Sequence, residues 1–461
     1  MNPMGQMPEP LLEHRRKPPA WGERPRILVC FMQTRLPGRA AAPSHDTTMN
    51  TRTQQHNEQG GTTTLVGMDL HSEKVQLCIT EWRHGSDPVP VRSLATTVRA
   101  LEGTYRRLVP SGALTVMEAS TNSFDVARRL AALGFQAKVL RSDIAVGLSG
   151  PDRVNDRIDA LNIAVAYARR GAGAEVHVPS PEYQEYRDIW FGYRNATKDT
   201  VRIRNRIWSF CGEHGIELPP QARARRPDRI RERIARLGWS PEQSFQLENM
   251  LLALEFAETM QGRCRARIEQ IVAGDGPMRR AMTVLGVGPL VAFALAAFVE
   301  DIGRFATPKK LVRYIGLNPS VCDSGKAEGR HGLAHRGRGD LRALLVESAN
   351  TALEHGREPM HRWARRKVAS GKPRNVVVCA LARKLAVALW HALMGHPVPC
   401  REPQPCFERK LLALARHIGA EGLRAMGHAT TADYVKAVAE PIYAHLPEKE
   451  EENKEKNQKP A

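Results

Sequence analysis

The sequence lacks several features that would assign it to common classes of protein. Its eight cysteines are scattered and form no Cys-x-x-Cys pair, which argues against a disulfide framework and against a zinc ribbon. No apolar run reaches the roughly 20 residues that a membrane-spanning helix needs. The longest candidate, 376–394, is interrupted by Arg383 and Lys384, and the N-terminus has no apolar signal-peptide region. We therefore expect a cytoplasmic protein with no membrane partner.

Acidic residues are scarce relative to basic ones. The chain has 49 Asp and Glu residues against 68 Lys and Arg residues, which leaves a net charge of +19. A surplus of this size favours a polyanionic partner, most simply nucleic acid, because binding to phosphates releases counterions. The alternative is a basic surface without a partner. The hydrophobic fraction of 42% is enough for a folded core in a chain of 461 residues.

The composition of the chain changes at residue 62. Residues 1–61 are polar and proline-rich without sustained periodicity, which predicts a disordered extension. Residues 62–178 predict a mixed α/β sheet covered by helices. The expected strands are 65–70, 74–80, 89–95, 113–119 and 135–140, and the expected helices are 97–108, 124–134 and 151–170.

The middle of the chain, 179–275, has apolar residues that alternate by four and three positions in two segments. They run from Ile189 to Phe210 and from Leu247 to Ile271, with a proline- and arginine-rich stretch between them. This pattern predicts an antiparallel coiled-coil hairpin, and the alternative is an ordinary two-helix core seam. A mainly α C-terminal domain is expected over 276–400, followed by a helical segment at 401–445 and a charged disordered tail at 446–461. Its expected helices are 278–300, 308–314, 339–355 and 374–394.

Four acidic residues stand where they could hold metal ions. Asp69 and Glu118 end predicted strands, and Asp156 and Asp159 share one face of a predicted helix. Acids at the ends of buried strands are costly unless they are paired or bound to metal. Four converging carboxylates could hold two Mg²⁺ ions about 4 Å apart, which would clamp a phosphodiester. Taken alone, Asp156 and Asp159 could instead interact favourably with the dipole of their helix, and Glu118 could belong to a capping cluster.

A glycine-rich basic loop lies further along the chain. Between Ser324 and Arg342 there are five glycines and five Lys or Arg residues. The basic side chains could reach phosphate oxygens, and a serine on an electropositive loop is a candidate nucleophile towards phosphorus. Ser324 is that candidate, although Ser320 competes with it and an exposed turn serine is the plainer alternative. The basic residues are Lys326, Arg330, Arg336, Arg338 and Arg342.

A second feature of the C-terminal part is the Gly286-Val287-Gly288 sequence between two apolar segments. It is typical of the turn in a helix-hairpin-helix-like motif, whose backbone amides can bind a nucleic-acid backbone. A plain interhelical turn is the alternative.

In combination, these stretches resemble the DEDD transposases of the insertion sequence 110 family, also called bridge-RNA-guided recombinases. The resemblance spans about residues 64–395. The matching stretches are VGMDLHSEKVQLCI, VMEAS, VARRLAALGF, RIDALNIAVAYA, TVLGVGPLVAFALAAFVEDIGRF, LVRYIGLNP, HRGRGDLRALLVESA and ALARKLAVALWHAL.

The resemblance implies an RNase H-like, RuvC-like N-terminal domain with Asp69, Glu118, Asp156 and Asp159 as a Mg²⁺-binding tetrad, and Ser324 as a nucleophile that forms a covalent phosphoserine link to DNA. It further implies donor and target DNA as substrates, a structured guide RNA, and a homo-oligomer joined through the paired helices, acting at the bacterial nucleoid. The segment YRNATKDTVRIRNRIWSF matches the arginine-bearing helix of the family. The arginines it assigns to nucleic-acid binding are Arg187, Arg194, Arg202 and Arg206.

Two other functions are compatible with the residues. A metal-dependent, structure-specific nuclease of the junction-resolving type would need the carboxylates but not Ser324. A catalytically decayed derivative would bind nucleic acid in a salt-dependent manner without cutting it.

Overall fold

The computed structural model describes residues 62–144, 155–216, 238–319, 332–333, 337–356, 359–398 and 401–444. The predicted extension 1–61 and the tail 446–461 lie outside the described residues, as does most of the glycine-rich loop. The described chain has a mixed sheet with covering helices, then a long helical hairpin, then a mainly helical part. The prediction of an α/β part followed by a helical part is confirmed.

The N-terminal sheet contains the five predicted strands, with ends within two residues of those expected. One further strand of two residues is too short to show a periodic pattern, so the sequence did not predict it. The strands are β1 (Thr63–Leu70), β2 (Lys74–Trp82), β3 (Val89–Thr97), β4 (Leu114–Glu118), β5 (Gln136–Leu140) and β6 (Glu175–Val176). Their order is β3-β2-β1-β4-β5-β6, with β1, β4 and β5 parallel and the other pairings antiparallel.

Helices cover both faces of this sheet. Successive side chains of a strand point to opposite faces, so Val66 and Met68 of β1 pack under α1 (Leu101–Leu108) and α2 (Ser123–Ala132). Leu65 points the other way and packs with α3 (Asp156–Arg170). Strands β1, β2 and β4 are therefore buried from both sides, the edge strand β3 is exposed, and α3 lies on the face that the odd-numbered residues of β1 share.

A long helical hairpin follows, formed by α4 (Pro181–Glu213) and α5 (Pro241–Gly274). The helices run antiparallel, since Gln261 bonds to Thr197 near the middle and Gln243 reaches His214 at the far end. Both begin earlier than predicted, because a serine followed by proline starts each of them. The predicted hairpin is confirmed, and coiled-coil packing within it stays a prediction. Of the residues that the four-and-three pattern places in the contact between the two helices, the buried ones are Ala196, Thr200, Ile207, Leu247, Leu254, Ala257 and Ile268.

The C-terminal part packs its helices around one apolar core. The predicted helical segment 278–300 forms two helices, and the turn predicted at Gly286-Val287-Gly288 lies between them. Gly286 has a φ of 78°, which is open to glycine but strained for other residues. Helix α10 is not among the predicted helices, although Met360, Trp363, Ala364 and Val368 recur at helical spacing and pack on the core. The helices are α6 (Gly276–Ala281), α7 (Pro289–Val299), α8 (Pro308–Ile315), α9 (Gly339–His355), α10 (Pro359–Ala369), α11 (Arg374–Leu393), α12 (Gln404–Ala425) and α13 (Thr431–Tyr443).

Helix α11 is long and apolar enough to cross a membrane by length and composition, and among the described residues it is the one such helix. Ten of its residues are buried against other helices of the C-terminal part. Its two interrupting cations have local partners: Arg383 donates to the Leu317 carbonyl at 3.0 Å, and Lys384 lies over the Trp363 ring. This helix is therefore the central core helix of the C-terminal part.

Candidate functional site

Two of the predicted acids lie at the same edge of the sheet. The parallel register of β1 and β4 ends with Met68 opposite Met117. The next residues, Asp69 and Glu118, therefore follow on neighbouring strands and point to the same face. Both side chains are partly buried. The face they share is the one that α3 covers.

The crossing of α3 over β1 depends on Gly67. A Cβ atom on this residue would lie 1.8 Å from the carbonyl oxygen of Ala160, so only glycine allows the helix to approach this closely. Asn155 caps the helix by accepting a hydrogen bond from the Arg157 amide. Because Asn155 fills the capping role, neither acid of the first turn is needed for it. The crossing places this turn beside the end of β1.

Three ligand atoms converge at that point. One oxygen each from Asp69 and Asp156 and one ring nitrogen from His71 lie within 4.8 Å of one another. His71 Nε2 is 3.2 Å from Asp69 Oδ2. Asp159 is close enough for its charge to act on Asp69. Of the four predicted acids, the structure thus brings Asp69 and Asp156 together, places Asp159 one turn further along α3, and places Glu118 on the adjacent strand.

The electrostatics of this group favour a cation. Burial raises the pKa of Asp69 above its ordinary value, and the charges of Asp156 and Asp159 raise it further, while His71 opposes the shift. Carboxylates held together in this way repel each other unless a positive charge lies between them. Carboxylate oxygens are the ligands that Mg²⁺ prefers, and one histidine does not prevent its binding. The donor set therefore fits Mg²⁺.

His71 was not predicted from the sequence. It follows β1 directly, its side chain is half exposed, and its carbonyl accepts a hydrogen bond from the Asn122 side chain. Asn122 stands in the turn after β4, so this bond ties the ends of β1 and β4 together. The neighbouring serines Ser120 and Ser123 bond to each other in that turn. The available signal was an Asp-x-His sequence at the end of a buried strand.

Replacing Gly67 by alanine should disrupt this arrangement. The added methyl group meets backbone rather than a flexible side chain, so α3 must shift, and we expect destabilisation of about 3 kcal/mol. Urea unfolding measures it. Gly103→Ala is the matched control, because Gly103 lies in α1 with nothing within 4 Å of an added Cβ atom. Equal stability of the two variants would contradict the close crossing of α3 over β1.

The nucleophile predicted from the sequence belongs to the glycine-rich basic loop. Ser324, Lys326, Arg330 and Arg336 lie outside the described residues, as does the competing Ser320. The two sides of this segment meet at the end of α8, where Gly337 packs against Gly316 and the Arg338 amide donates to the Tyr314 carbonyl at 2.9 Å. The described residues that flank the segment of Ser324, 314–316 and 337–338, are therefore in contact with each other.

The other predicted nucleic-acid-binding arginines differ in their surroundings. Arg187 is buried and donates to the Ala297 carbonyl, and Arg342 donates to the Gly316 carbonyl. Arg338 and Arg194 both pair with Asp340, at 2.8 and 3.6 Å. The two remaining arginines, Arg202 and Arg206, are exposed on α4, and Arg202 pairs with Asp199.

Comparison with known proteins points to one family. Residues 278–364 match the model of the transposase family IS116/IS110/IS902. The transposase for insertion sequence element IS1328 of Yersinia enterocolitica is 25% identical over 71% of this chain and 96% of its own length. The transposase for insertion sequence element IS1111A of Coxiella burnetii is 25% identical over 71% of this chain and 89% of its own. A probable family 20 transposase of Pseudomonas aeruginosa is 26% identical over 63% of this chain and 86% of its own.

Proposed function

Because this chain is a relative of the insertion-sequence transposases of the IS116/IS110/IS902 family, we propose that it cuts and rejoins DNA at a metal-bound carboxylate site. The observation that carries the proposal is the convergence of Asp69 and Asp156 at the edge of the sheet. The experiment that tests it is a strand-exchange assay with purified protein, guide RNA and both DNAs, in which Asp69→Asn should stop cleavage but leave DNA binding intact.

In this proposal the sheet is a RuvC-like, RNase H-like domain. The antiparallel β1–β2–β3 meander, followed by alternating helices and parallel strands, supports it. Asp69, Glu118, Asp156 and Asp159 would hold Mg²⁺, with His71 orienting Asp69 through their 3.2 Å contact. Bound Mg²⁺ would stabilise negative charge on the phosphodiester and lower the pKa of an attacking hydroxyl. The chain's own part is to hold the carboxylates close together before the DNA arrives.

The proposal also assigns a covalent step to Ser324. Its hydroxyl oxygen would attack phosphorus, the P–O bond to the leaving strand would break, and that strand would depart with the proton as a free hydroxyl end. The resulting phosphoserine ester would conserve the bond energy for rejoining, when the hydroxyl end of the other strand attacks the same phosphorus and releases the serine. The family resemblance supports this role.

A structured guide RNA is the proposed partner of the helical hairpin. Residues 187–237 contain 13 Lys or Arg residues against 6 Asp or Glu residues. Arg202 and Arg206 are exposed on α4 within this stretch. Exposed arginines along a helix suit contacts with an RNA backbone, which any sequence of the guide would present.

We also propose that the hairpin joins two copies of the chain. One face of α5 packs on α4, but Phe245, Leu252 and Phe256 face solvent, and each is at least half exposed. Their spacings of seven and four residues place them on a single stripe of the helix. A stripe with two exposed phenylalanines is a poor surface in water and a good one for a second copy of the same helix.

Replacing both phenylalanines of this stripe by serine should weaken the association. We expect Phe245→Ser/Phe256→Ser to shift the protein from dimer to monomer in light scattering coupled to gel filtration, because it removes the largest apolar area of the stripe. Val89→Ser/Val91→Ser is the control, since these β3 residues are equally exposed but lie on the sheet. An unchanged mass of the Phe245→Ser/Phe256→Ser variant would exclude this face as the interface.

A further inference from the structure

A basic cavity of 710 Å³ lies between the N-terminal sheet and the C-terminal helices. Residues of both parts line it, including Phe124 of α2 and Tyr314 of α8. His177 and Glu300, which bond at 2.7 Å, hold the two parts together beside it. Its six cationic residues are Arg141, Arg187, Arg304, Lys310, Arg313 and Arg338.

Arg141 and Asp143, which line this cavity, lie at the same edge of the sheet as the carboxylate group. Arg141 directly follows β5, and the last residue of β5, Leu140, pairs with Glu118 in the parallel register. The residue after Glu118 continues the contact, since the Ala119 amide donates to the Leu140 carbonyl at 2.8 Å. The carboxyl ends of parallel strands are where α/β sheets bind ligands. A strand bound in the cavity would thus lie at the sheet edge that carries the acids.

Three arginines of the cavity, Arg187, Arg304 and Arg338, have contacts within the protein that hold them in place before any ligand binds. Arg187 donates to the Ala297 carbonyl, and Arg304 donates to the Val299 carbonyl, both at 2.9 Å. The Phe298 ring contacts two guanidinium groups, with Arg338 3.8 Å and Arg187 5.5 Å from its centroid. Side chains fixed in this way lose little conformational entropy when an anion arrives.

The positive charge of the cavity exceeds its negative charge. Its two acids have their own cations, since Asp143 pairs with Arg141 and Glu175 with Lys138. Within the described part of the chain, Arg304, Lys310 and Arg313 are without an ion-pair partner. Burial lowers the pKa of Arg187, and the nearby charges of Arg338 and Arg304 lower it further. Like charges gathered at a partly buried site favour an anionic ligand.

We propose that this cavity binds successive phosphates of a single nucleic-acid strand and leads the strand to the carboxylate edge. Several cations spread around the walls suit more than one phosphate, and Phe124 and Tyr314 offer ring faces on which bases can stack. The inference rests on the proposed function, because it names the substrate path to that same site. It adds Arg141, Arg304, Lys310 and Arg313 to the residues that contact nucleic acid.

The test measures binding of short single strands by the full chain in EDTA, where no cleavage occurs. The probes are a fluorescent mixed-sequence DNA and an RNA of the same sequence, titrated at a series of salt concentrations. Lys310→Ala/Arg313→Ala should weaken binding about tenfold and reduce the slope of log affinity against log salt by about 1.4, since each phosphate contact contributes about 0.7. Both residues are exposed on α8, so the substitutions leave the core intact.

Lys309→Ala is the matched control, because Lys309 is exposed on the same helix but does not line the cavity. It should leave the salt slope unchanged. A reduced slope with DNA, with RNA or with both supports the proposal and identifies the source of the strand. An unchanged slope in the double variant or an equal change in Lys309→Ala would overturn it. Failure of strand exchange by the wild-type chain would contradict the proposed function without altering this measurement.

Discussion

Replacing Asp69 by asparagine should lower Mg²⁺-dependent DNA cleavage by about a thousandfold, which corresponds to ~4 kcal/mol of transition-state stabilisation. Asparagine keeps the shape of the side chain but removes the charge that a cation needs. Burial and the charges of Asp156 and Asp159 raise the pKa of Asp69. Folding therefore disfavours the ionised form of the Asp69 carboxyl. At a pH above the raised pKa, the ionised carboxyl lowers the free energy of unfolding, and asparagine would remove this loss. We therefore expect the variant to be at least as stable as wild type without metal.

The same variant should respond less to Mg²⁺. Binding of the ion to the folded chain should raise the melting temperature of the wild type, and this gain should shrink in Asp69→Asn. Asp87→Asn is the control, because Asp87 is exposed and pairs with Arg169 far from the carboxylate group. It should leave cleavage and the Mg²⁺ response unchanged. Wild-type cleavage by Asp69→Asn would remove this carboxylate from the mechanism.

The strands and most helices could be predicted from the sequence because their apolar patterns are regular. The segment 63–70 alternates on two buried faces, and α4 and α5 repeat apolar residues every three or four positions. Helix α10 has few apolar residues, which stand among four Lys or Arg residues, and it was not predicted. The strand β6 is a pairing of two residues, which tertiary contacts create and local sequence does not encode.

The carboxylate group could be predicted only in part. An acid in the first turn of a helix interacts with the helix dipole in many proteins, so the sequence alone did not decide the role of Asp156. The decisive fact is the close crossing of α3 at Gly67, which is a tertiary contact. His71 escaped prediction because an exposed histidine after a strand has no periodic signature.

Arg187 illustrates a different limit. The sequence placed it on an RNA-binding helix, yet it is 7% exposed and contacts Ala297 and Phe298 of α7. The first turns of α4 pack against the C-terminal part, which the neighbouring Trp190 and Phe191 could have signalled. A buried arginine that lines a basic cavity differs from one on an open helix face, because its position is fixed by packing.

Replacing Ser324 by alanine should abolish both the covalent protein–DNA adduct and strand exchange. The substitution removes the only atom of this side chain that can attack phosphorus, so the adduct should fall by about a thousandfold or more. The adduct is measured as protease-sensitive retention of end-labelled DNA on a denaturing gel. Ser320→Ala is the matched control, since it removes the competing hydroxyl four residues away, and it should leave the adduct intact.

The outcome of the Ser324→Ala experiment separates the candidate functions, because each uses the Ser324 hydroxyl and the Asp69 carboxylate differently. A nuclease that relies on Asp69 and its neighbours alone would cut DNA normally in Ser324→Ala and form no adduct in the wild type. A decayed derivative would bind DNA, but neither the wild type nor Ser324→Ala would cut it. A recombinase loses the adduct with Ser324→Ala and loses cleavage with Asp69→Asn. Loss of the adduct in Ser320→Ala alone would transfer the nucleophilic role to Ser320, within the same segment that starts and ends beside Gly316 and Gly337.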